Sequence, residues 1–365
     1  MAAVSSNGST GADLAFERRP LPLTMRIGRL RRMISFAAQR PKALKLLSGV
    51  AFSVLSIAAC ALVARRLTSA SWPLDGASIV FVTLAGVAYV ASFGFRALGW
   101  HHLFPARQRP DRARCLAACG TAAASGTVLP FRLDYVVKIA ILRRLGGVRI
   151  GLEPIVLSIV LLGLIDAVAM LPLAVSAIAS SGASFRAPLG VVIAFCICCV
   201  AILIAGPRIV RLPLVARSAR LAAFCARLGS STKVTRSTAA AAFFLAACWT
   251  TRALGSAFLL CAMGVGFSLT IALVVLCMAA AASIIPVTAG GAVANIGATA
   301  GVLLALGTTR DAAINFSLAA GLLLNGAALA AGAVGVAVSL LLTLRRTSSA
   351  VLESPRLVVP AKASA

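Results

Sequence analysis

The chain has 365 residues, 60% of them hydrophobic and 12% charged, with a mean hydropathy of +1.00, a composition that excludes an ordinary water-soluble globular domain. The formal net charge of +26 would suit a nucleic-acid-binding protein. However, 28 of the 35 Lys and Arg residues lie in five groups beside apolar segments, which argues against nucleic acid as a partner and follows the positive-inside rule of membrane proteins.

Several apolar runs reach the roughly 20 residues that an α-helix needs to cross a bilayer, and runs such as 155–165 lack the alternating polarity of a β-barrel strand. Backbone polar groups in lipid must be satisfied within each segment, so helices are the expected spanning elements. We predict an all-α, polytopic transmembrane helix bundle of about six to eight spans with one or two re-entrant segments.

Residues 1–42 begin with a tail containing Ser and Gly and continue with Arg residues interleaved with Ile, Leu and Phe. This pattern is typical of a basic amphipathic segment at a cytoplasmic membrane surface. The first long apolar run begins at residue 43, too far from the N-terminus for a cleaved signal peptide. Residues 43–344 are the predicted transmembrane domain, and residues 345–365 are a second predicted cytoplasmic tail.

The segments predicted to cross the membrane in full are 43–64, 77–98, 154–178, 189–205, 239–263 and 312–344. The basic groups flank alternate ends of these segments, whereas the linkers 68–76 and 179–188 contain Arg186 as their only basic residue. The positive-inside rule therefore places both termini in the cytoplasm, and the predicted localisation is a bacterial inner membrane. The same basic groups are expected to attract anionic lipid headgroups.

Three further apolar segments are short or broken. Segment 115–129 has about 15 residues and basic groups on both sides, which favours a re-entrant segment that enters and leaves through the cytoplasmic face. Segments 269–285 and 288–307 flank Pro286, with Gly290 and Gly291 close behind it. They form either a re-entrant hairpin from the outer face or two full crossings, and the charges do not decide between these alternatives.

The ten cysteines lie mostly inside apolar runs, where Cys packs as a small hydrophobic residue, and only His101 and His102 are available as histidine ligands. The sequence predicts no metal site and no cofactor. It contains no Ser-His-Asp arrangement and no phosphate-binding glycine loop. We therefore predict no catalytic residues and no enzymatic activity.

Asp166 is the only acidic residue deep inside a predicted span. A charge at that depth costs about 2.5 to 3.5 kcal/mol on translocon scales, so its side chain is expected to face the bundle interior or a wet cavity. Arg252 lies at a comparable depth of segment 239–263, and a pair between Asp166 and Arg252 would keep both charges from lipid. Such a pair is either a structural bridge or part of a substrate path.

The turn after segment 115–129 combines a proline with charged residues. Pro130 breaks the helix, and Arg132, Asp134 and Lys138 follow it. A guanidinium, an ammonium and exposed helix-end amides suit an anionic headgroup or phosphate. The alternative is an ordinary cytoplasmic loop with snorkelling basic side chains.

A second break lies at Pro286, Gly290 and Gly291. Two broken segments in corresponding parts of the two halves of a chain are typical of transporters with a central site. Close packing of small side chains is the simpler explanation.

Segment 129–142, with Leu-Pro-x-Arg followed six residues later by a second cation, resembles the first signature of the transmembrane region of lysylphosphatidylglycerol synthases and their stand-alone flippase-like relatives. Residues 96–103 resemble the Arg-Trp helix end of that family, Asp166 its acidic residue in the next helix, and 286–291 its Pro and Gly-Gly segment. The resemblance covers nearly all of the hydrophobic chain and implies a flippase-like transmembrane domain. Together with the charge argument it makes nine residues the candidate lipid-binding positions: Pro130, Arg132, Asp134, Lys138, Asp166, Arg252, Pro286, Gly290 and Gly291.

The chain departs from the family pattern in two places. The family has Gly-Glu followed by Arg where this chain has Asp134, Tyr135 and Lys138. The family also has a Glu behind the Gly-Gly, where Asn295 and Ile296 stand here. No aminoacyltransferase domain is expected after residue 344, so the resemblance implies no synthase activity.

We therefore expect a lipid-handling membrane protein that binds or translocates an anionic or aminoacylated (glyco)phospholipid. The alternative is a non-transporting subunit or scaffold whose basic stretch 208–236 docks another protein or the anionic leaflet. A small-solute or ion transporter is disfavoured because a single embedded acid is available for coupling. The sequence leaves open the lipid, the direction and energy source of transport, and whether the chain binds a second copy of itself or another membrane protein.

Overall fold

The computed structural model describes residues 72–127, 129, 133–145, 150–209, 235–282 and 292–352, all within the compact unit Ala61–Ala365. In these ranges the chain forms α-helices, one 3-10 turn at Ala106–Gln108 and no β-strand. The helices in chain order are α1 (Ile79–His102), α2 (Arg112–Gly126), α3 (Asp134–Arg144), α4 (Leu152–Ser180), α5 (Ala183–Ile209), α6 (Arg236–Ala262), α7 (Leu269–Ala282), α8 (Ala292–Ala305) and α9 (Arg310–Leu352).

Five of these helices are long and apolar enough to cross a membrane, namely α1, α4, α5, α6 and the Arg310–Arg345 part of α9. They coincide with the predicted spans from 77–98 onwards, which confirms the prediction of an all-α helical membrane bundle. The predicted span 43–64, the tail 1–42 and most of the basic stretch 208–236 lie outside the described residues. The domain boundaries therefore remain predictions.

Four helices are shorter: α2 has 15 residues, α3 has 11, and α7 and α8 have 14 each. At 1.5 Å per residue the longest of them extends about 22 Å, short of the roughly 30 Å hydrocarbon core. The predicted short segment 115–129 is α2. Helices α7 and α8 pack against each other. The re-entrant hairpin and the two full crossings both remain predictions, because residues 283–291 between the helices lie outside the described residues.

Helices α1 and α6 pack along each other in antiparallel directions. The hydroxyls of Tyr89 and Ser256 lie 3.1 Å apart near the middle of α1, and the Ser237 hydroxyl donates to the His102 carbonyl oxygen at the C-terminal end of α1. Residue numbers therefore rise along α1 as they fall along α6. This register sets positions 92–96 of α1 against positions 249–252 of α6, where both helices carry an arginine.

Helix α4 joins this pair through a buried indole. Trp100 of α1 is fully buried, and its Nε1–H donates to Ser158 Oγ of α4 at 3.1 Å. Cysteines of α2, α5, α6 and α7 are buried within the bundle, as expected of small hydrophobic residues. They are Cys115, Cys119, Cys196, Cys199, Cys248 and Cys277.

Replacing Trp100 by Phe is expected to lower the unfolding free energy by about 1 to 2 kcal/mol, because the change deletes the hydrogen bond to Ser158 and leaves a void. Heat- or SDS-induced unfolding of the purified protein in detergent measures the loss. The matched control is Trp72→Phe, because Trp72 is 55% exposed and should tolerate the change. Equal stability of the two variants would contradict the role of the Trp100 contact.

Candidate functional site

Asp166, at the midpoint of α4, forms hydrogen bonds with side chains of two other helices. Its Oδ2 accepts a hydrogen bond from Arg96 Nη2 of α1 at 2.6 Å, and its Oδ1 accepts one from Trp249 Nε1 of α6 at 2.7 Å. Both carboxylate oxygens are thus engaged, and the Asp166 side chain is only 12% exposed. The carboxylate faces the bundle interior, as the cost of an embedded charge requires.

The prediction of an ion pair between Asp166 and Arg252 is wrong, because Asp166 forms its salt bridge with Arg96. The guanidinium of Arg252 turns the other way: its Nε–H donates to Ser92 Oγ at 3.3 Å. Trp249 contacts both charges, since its N–H binds Asp166 while its ring centroid lies 5.4 Å from the Arg252 guanidinium. The indole therefore separates the two groups that similar depth along their helices had suggested as partners.

Arg252 is the cation without a carboxylate. It lies near the middle of α6, and its guanidinium is 5.3 Å from the ring centroid of Phe93. The carboxylates of Asp166 and Asp134 form salt bridges with Arg96 and Lys138, respectively, and not with Arg252. Aromatic rings and one hydroxyl compensate an embedded guanidinium only in part. Arg252 is thus an embedded cation that lacks a counter-ion within the described chain.

Helix α3 supplies a second ion pair. Lys138 Nζ lies 3.7 Å from Asp134 Oδ2, one helical turn away, and 4.7 Å from the ring centroid of Tyr135. The side chains of Lys138 and Asp134 are 13% and 15% exposed. Burial lowers the pKa of Lys138 below its ordinary value, and the positive charge of Arg96 lowers this pKa further.

Arg96, Asp134, Lys138 and Arg252 line one cavity of about 360 Å³, whose wall is formed by residues of α1, α2, α3, α6, α7, α8 and α9. The four short helices, α2, α3, α7 and α8, all contribute to its wall. The apolar part of the wall includes Phe93, Leu276, Ile296, Phe316 and Leu324. The polar part includes Tyr89, Arg96, Asp134, Lys138, Arg252 and Asn295.

The structure therefore brings three predicted site residues to the wall of one cavity: Asp134, Lys138 and Arg252. Asp166 does not line this cavity, but it binds Arg96, which does. That these residues bind a ligand stays a prediction. The other predicted positions lie outside the described residues, so their roles are also still predictions. They are Pro130, Arg132, Pro286, Gly290 and Gly291.

Sequence reasoning did not include Arg96, Trp249 or Asn295 among the site residues. Arg96 carried a usable signal, because it is a charged residue within a predicted span and the cost argument applied to Asp166 applies to it as well. Asn295 lines the cavity, and its Oδ1 is buried with no hydrogen-bond partner among the described residues. The sequence feature that pointed to Asn295 was its position, where the family that this chain resembles has a Glu.

The wall is suited to binding an anion. Guanidinium and ammonium groups form strong hydrogen bonds to phosphate and carboxylate oxygens, and a guanidinium presents its donors as a fork. Within the part of the chain that the structure describes, no group of three or more His, Cys, Asp and Glu residues is arranged to hold a metal ion. No protein-family model, no characterised protein and no solved structure matches this chain.

Proposed function

We propose that this multi-pass membrane protein binds the phosphate of a phospholipid headgroup in the cavity and carries the lipid between the two leaflets, without enzymatic chemistry. The observation that carries the proposal is Arg252, an embedded guanidinium at the cavity wall for which the described chain offers no carboxylate. Because an uncompensated charge near the middle of a span is costly, such residues mark substrate paths. A bound phosphate would supply the missing counter-ion.

The dimensions of the cavity support a headgroup as its occupant. Its volume of about 360 Å³ falls within the range of about 300 to 1,000 Å³ that is typical of small-molecule sites. This space holds a phosphate with a polar substituent, whereas acyl chains are favourably solvated by the bilayer. The mixture of cations and apolar side chains in the wall fits the junction between the headgroup and the chains of a lipid.

Two further observations support a flippase-like function. The four short helices line the cavity, and segments that end within the membrane are typical of transporters with a central site. The proposal also agrees with the resemblance of residues 96–103, 129–142 and 286–291 to flippase-like transmembrane domains.

The orientation is part of the proposal. The contact between Ser237 and His102 joins the end of α1 to the start of α6, and basic groups of the sequence adjoin both ends. The start of α4 and the ends of α5 and α9 also adjoin basic groups. Under the positive-inside rule these five helix ends lie in the cytoplasm of a bacterial cell, at the inner membrane, together with both termini.

Arg252→Gln is expected to reduce lipid flipping in proteoliposomes by about tenfold or more, because the change removes the unpaired cation while keeping a side chain of similar size. Transfer of a fluorescent phospholipid between leaflets measures the rate. Arg252→Lys should retain part of the activity, since it keeps the charge and loses the fork.

The control is Arg186→Gln, which removes the same charge from an exposed position on α5 and should leave flipping unchanged. If Arg252→Gln flips lipid at the wild-type rate, the proposed role of the cavity is refuted. If the wild-type protein flips no lipid and instead co-purifies with another protein at fixed stoichiometry, the subunit or scaffold function takes its place.

A further inference from the structure

The charges around the cavity do not cancel. Arg96, Lys138 and Arg252 line it, whereas Asp134 is the one acidic residue of the described chain in its wall and Asp166 lies directly behind Arg96. The remaining described acids are not part of the wall: they are Asp75, Asp111, Glu153 and Asp311. Among the residues that the structure describes, three positive and two negative side chains leave one excess positive charge.

The excess positive charge is located on Arg252, because the other two cations of the wall are paired with carboxylates. Asp166 contacts Arg96 at 2.6 Å, and Asp134 lies 3.7 Å from Lys138, so each carboxylate is committed to one cation. Arg252 holds the remaining charge, with its guanidinium against two aromatic rings. At low effective dielectric a charge of this kind acts over several ångströms, which covers most of a cavity of this size.

From this charge balance we infer that the cavity selects lipids by net headgroup charge and takes a phosphodiester that carries one net negative charge and an uncharged polar substituent. The inference rests on the proposed lipid-headgroup function of the cavity and narrows it. A zwitterionic headgroup brings an ammonium into a space whose wall already has surplus positive charge, and an aminoacylated headgroup brings still more. A phosphomonoester dianion exceeds the available positive charge and meets Asp134.

Asp134 is then a specificity-determining residue. Its carboxylate neutralises Lys138 in the empty cavity and opposes a second negative charge on the ligand. Asp134→Asn raises the excess charge of the wall to two, and Arg252→Gln lowers it to zero. These two substitutions should shift the preferred ligand charge in opposite directions.

The experiment measures binding of short-chain lipids to the purified full-length protein in a non-ionic detergent by titration calorimetry. The probes are a phosphatidylglycerol, a phosphatidylethanolamine, a lysyl-phosphatidylglycerol and a phosphatidic acid. The wild-type protein should bind the phosphatidylglycerol at least about tenfold more tightly than the zwitterionic and aminoacylated lipids. Arg252→Gln should reduce that preference to about threefold or less.

Asp134→Asn should raise the affinity for phosphatidic acid relative to phosphatidylglycerol by about tenfold. Asp311→Asn is the matched control, because it removes a carboxylate from an exposed position at the start of α9 and should leave this ratio unchanged. Equal wild-type affinities for the monoanionic and aminoacylated lipids would overturn the inference. An unchanged ratio in Asp134→Asn would overturn it as well.

The binding and flipping experiments together distinguish a failure of this inference from a failure of the proposed function. Charge-selective binding without any flipping in proteoliposomes would support the inference and refute transport. Flipping that depends on Arg252 but is equal for all four headgroups would support transport and refute the inference. Glycerophosphoglycerol, which has no acyl chains, is the last probe: binding as tight as that of the lipid would support charge selection and show that a soluble phosphodiester is the ligand.

Discussion

Replacing Asp166 by Ala should destabilise the protein by about 3 to 5 kcal/mol, the largest effect expected of any substitution in the described polar network. The change leaves the Arg96 guanidinium embedded without its carboxylate and also removes the acceptor of the Trp249 N–H. Unfolding in detergent, followed by circular dichroism or by SDS titration, measures the loss. Asp166→Asn should cost less, because its amide oxygen can still accept from Trp249.

A double-mutant cycle identifies the partner of Asp166. Combining Asp166→Asn with Arg96→Gln should give a coupling free energy of about 1 to 3 kcal/mol, because each single change leaves a buried charge and the double change leaves none. Combining Asp166→Asn with Arg252→Gln should give a smaller coupling free energy, because these two residues are linked only through their contacts with Trp249. A larger coupling to Arg252 than to Arg96 would contradict the observed ion pair.

Hydropathy located the membrane helices because their signal lies in composition over about 20 residues. The prediction 77–98 became α1, Ile79–His102, and 239–263 became α6, Arg236–Ala262. The differences fall at helix ends, where an apolar run gives way to polar residues that can still continue the helix. The later C-terminal boundary of α1 mattered: it moved Arg96 from the edge of a predicted span to well inside the helix.

The side-chain contacts between helices of the bundle could not be predicted from one sequence. The position of Asp166 along α4 and that of Arg252 along α6 give depth, but a contact also requires the rotation of each helix and the identity of its neighbours. Those follow from the antiparallel packing of α1 and α6, which brings Arg96 beside Trp249. The expected pair with Arg252 was wrong for this reason.

The candidate site was recognised only in outline. The helix break near residue 130 directed attention to Asp134 and Lys138, and the cost of embedded charge to Asp166 and Arg252. That Asp134, Lys138 and Arg252 border one cavity depends on seven helices meeting, a tertiary fact without a local sequence signature. Asn295 shows the limit most clearly, because an amide in an apolar segment has no distinctive local pattern and only the family resemblance drew attention to its position.

Helix α2 packs against α9 through backbone atoms, a contact that requires glycine. A Cβ built on Gly120 would lie 2.6 Å from the carbonyl oxygen of Ala328 and 2.7 Å from Gly332 Cα. A Cβ built on Gly335 would lie 2.7 Å from Ala117 Cα. Backbone atoms do not move aside as flexible side chains do, so any larger residue must push the two helices apart.

Gly120→Ala and Gly335→Ala are therefore each expected to lower the unfolding free energy by about 1 to 3 kcal/mol, and Val at either position should cost more. Gly326→Ala of α9 and Gly163→Ala of α4 are the matched controls, because a Cβ at either position meets nothing within 4 Å. Alanine should leave these controls unchanged or slightly more stable, since it is the better helix former. Unfolding temperatures of the four variants in detergent make the comparison.

The same substitutions connect packing to the cavity. Helix α2 contributes Cys119, Ala122 and Ala123 to the wall, and α9 contributes Leu324 and Ala328 from the facing side. Separating the two helices widens the cavity and moves these residues away from the cations. Gly120→Ala should consequently weaken lipid binding even at temperatures where the protein stays folded, whereas Gly326→Ala should not. Wild-type stability and binding in Gly120→Ala would show that α2 and α9 do not approach as closely as the structure describes.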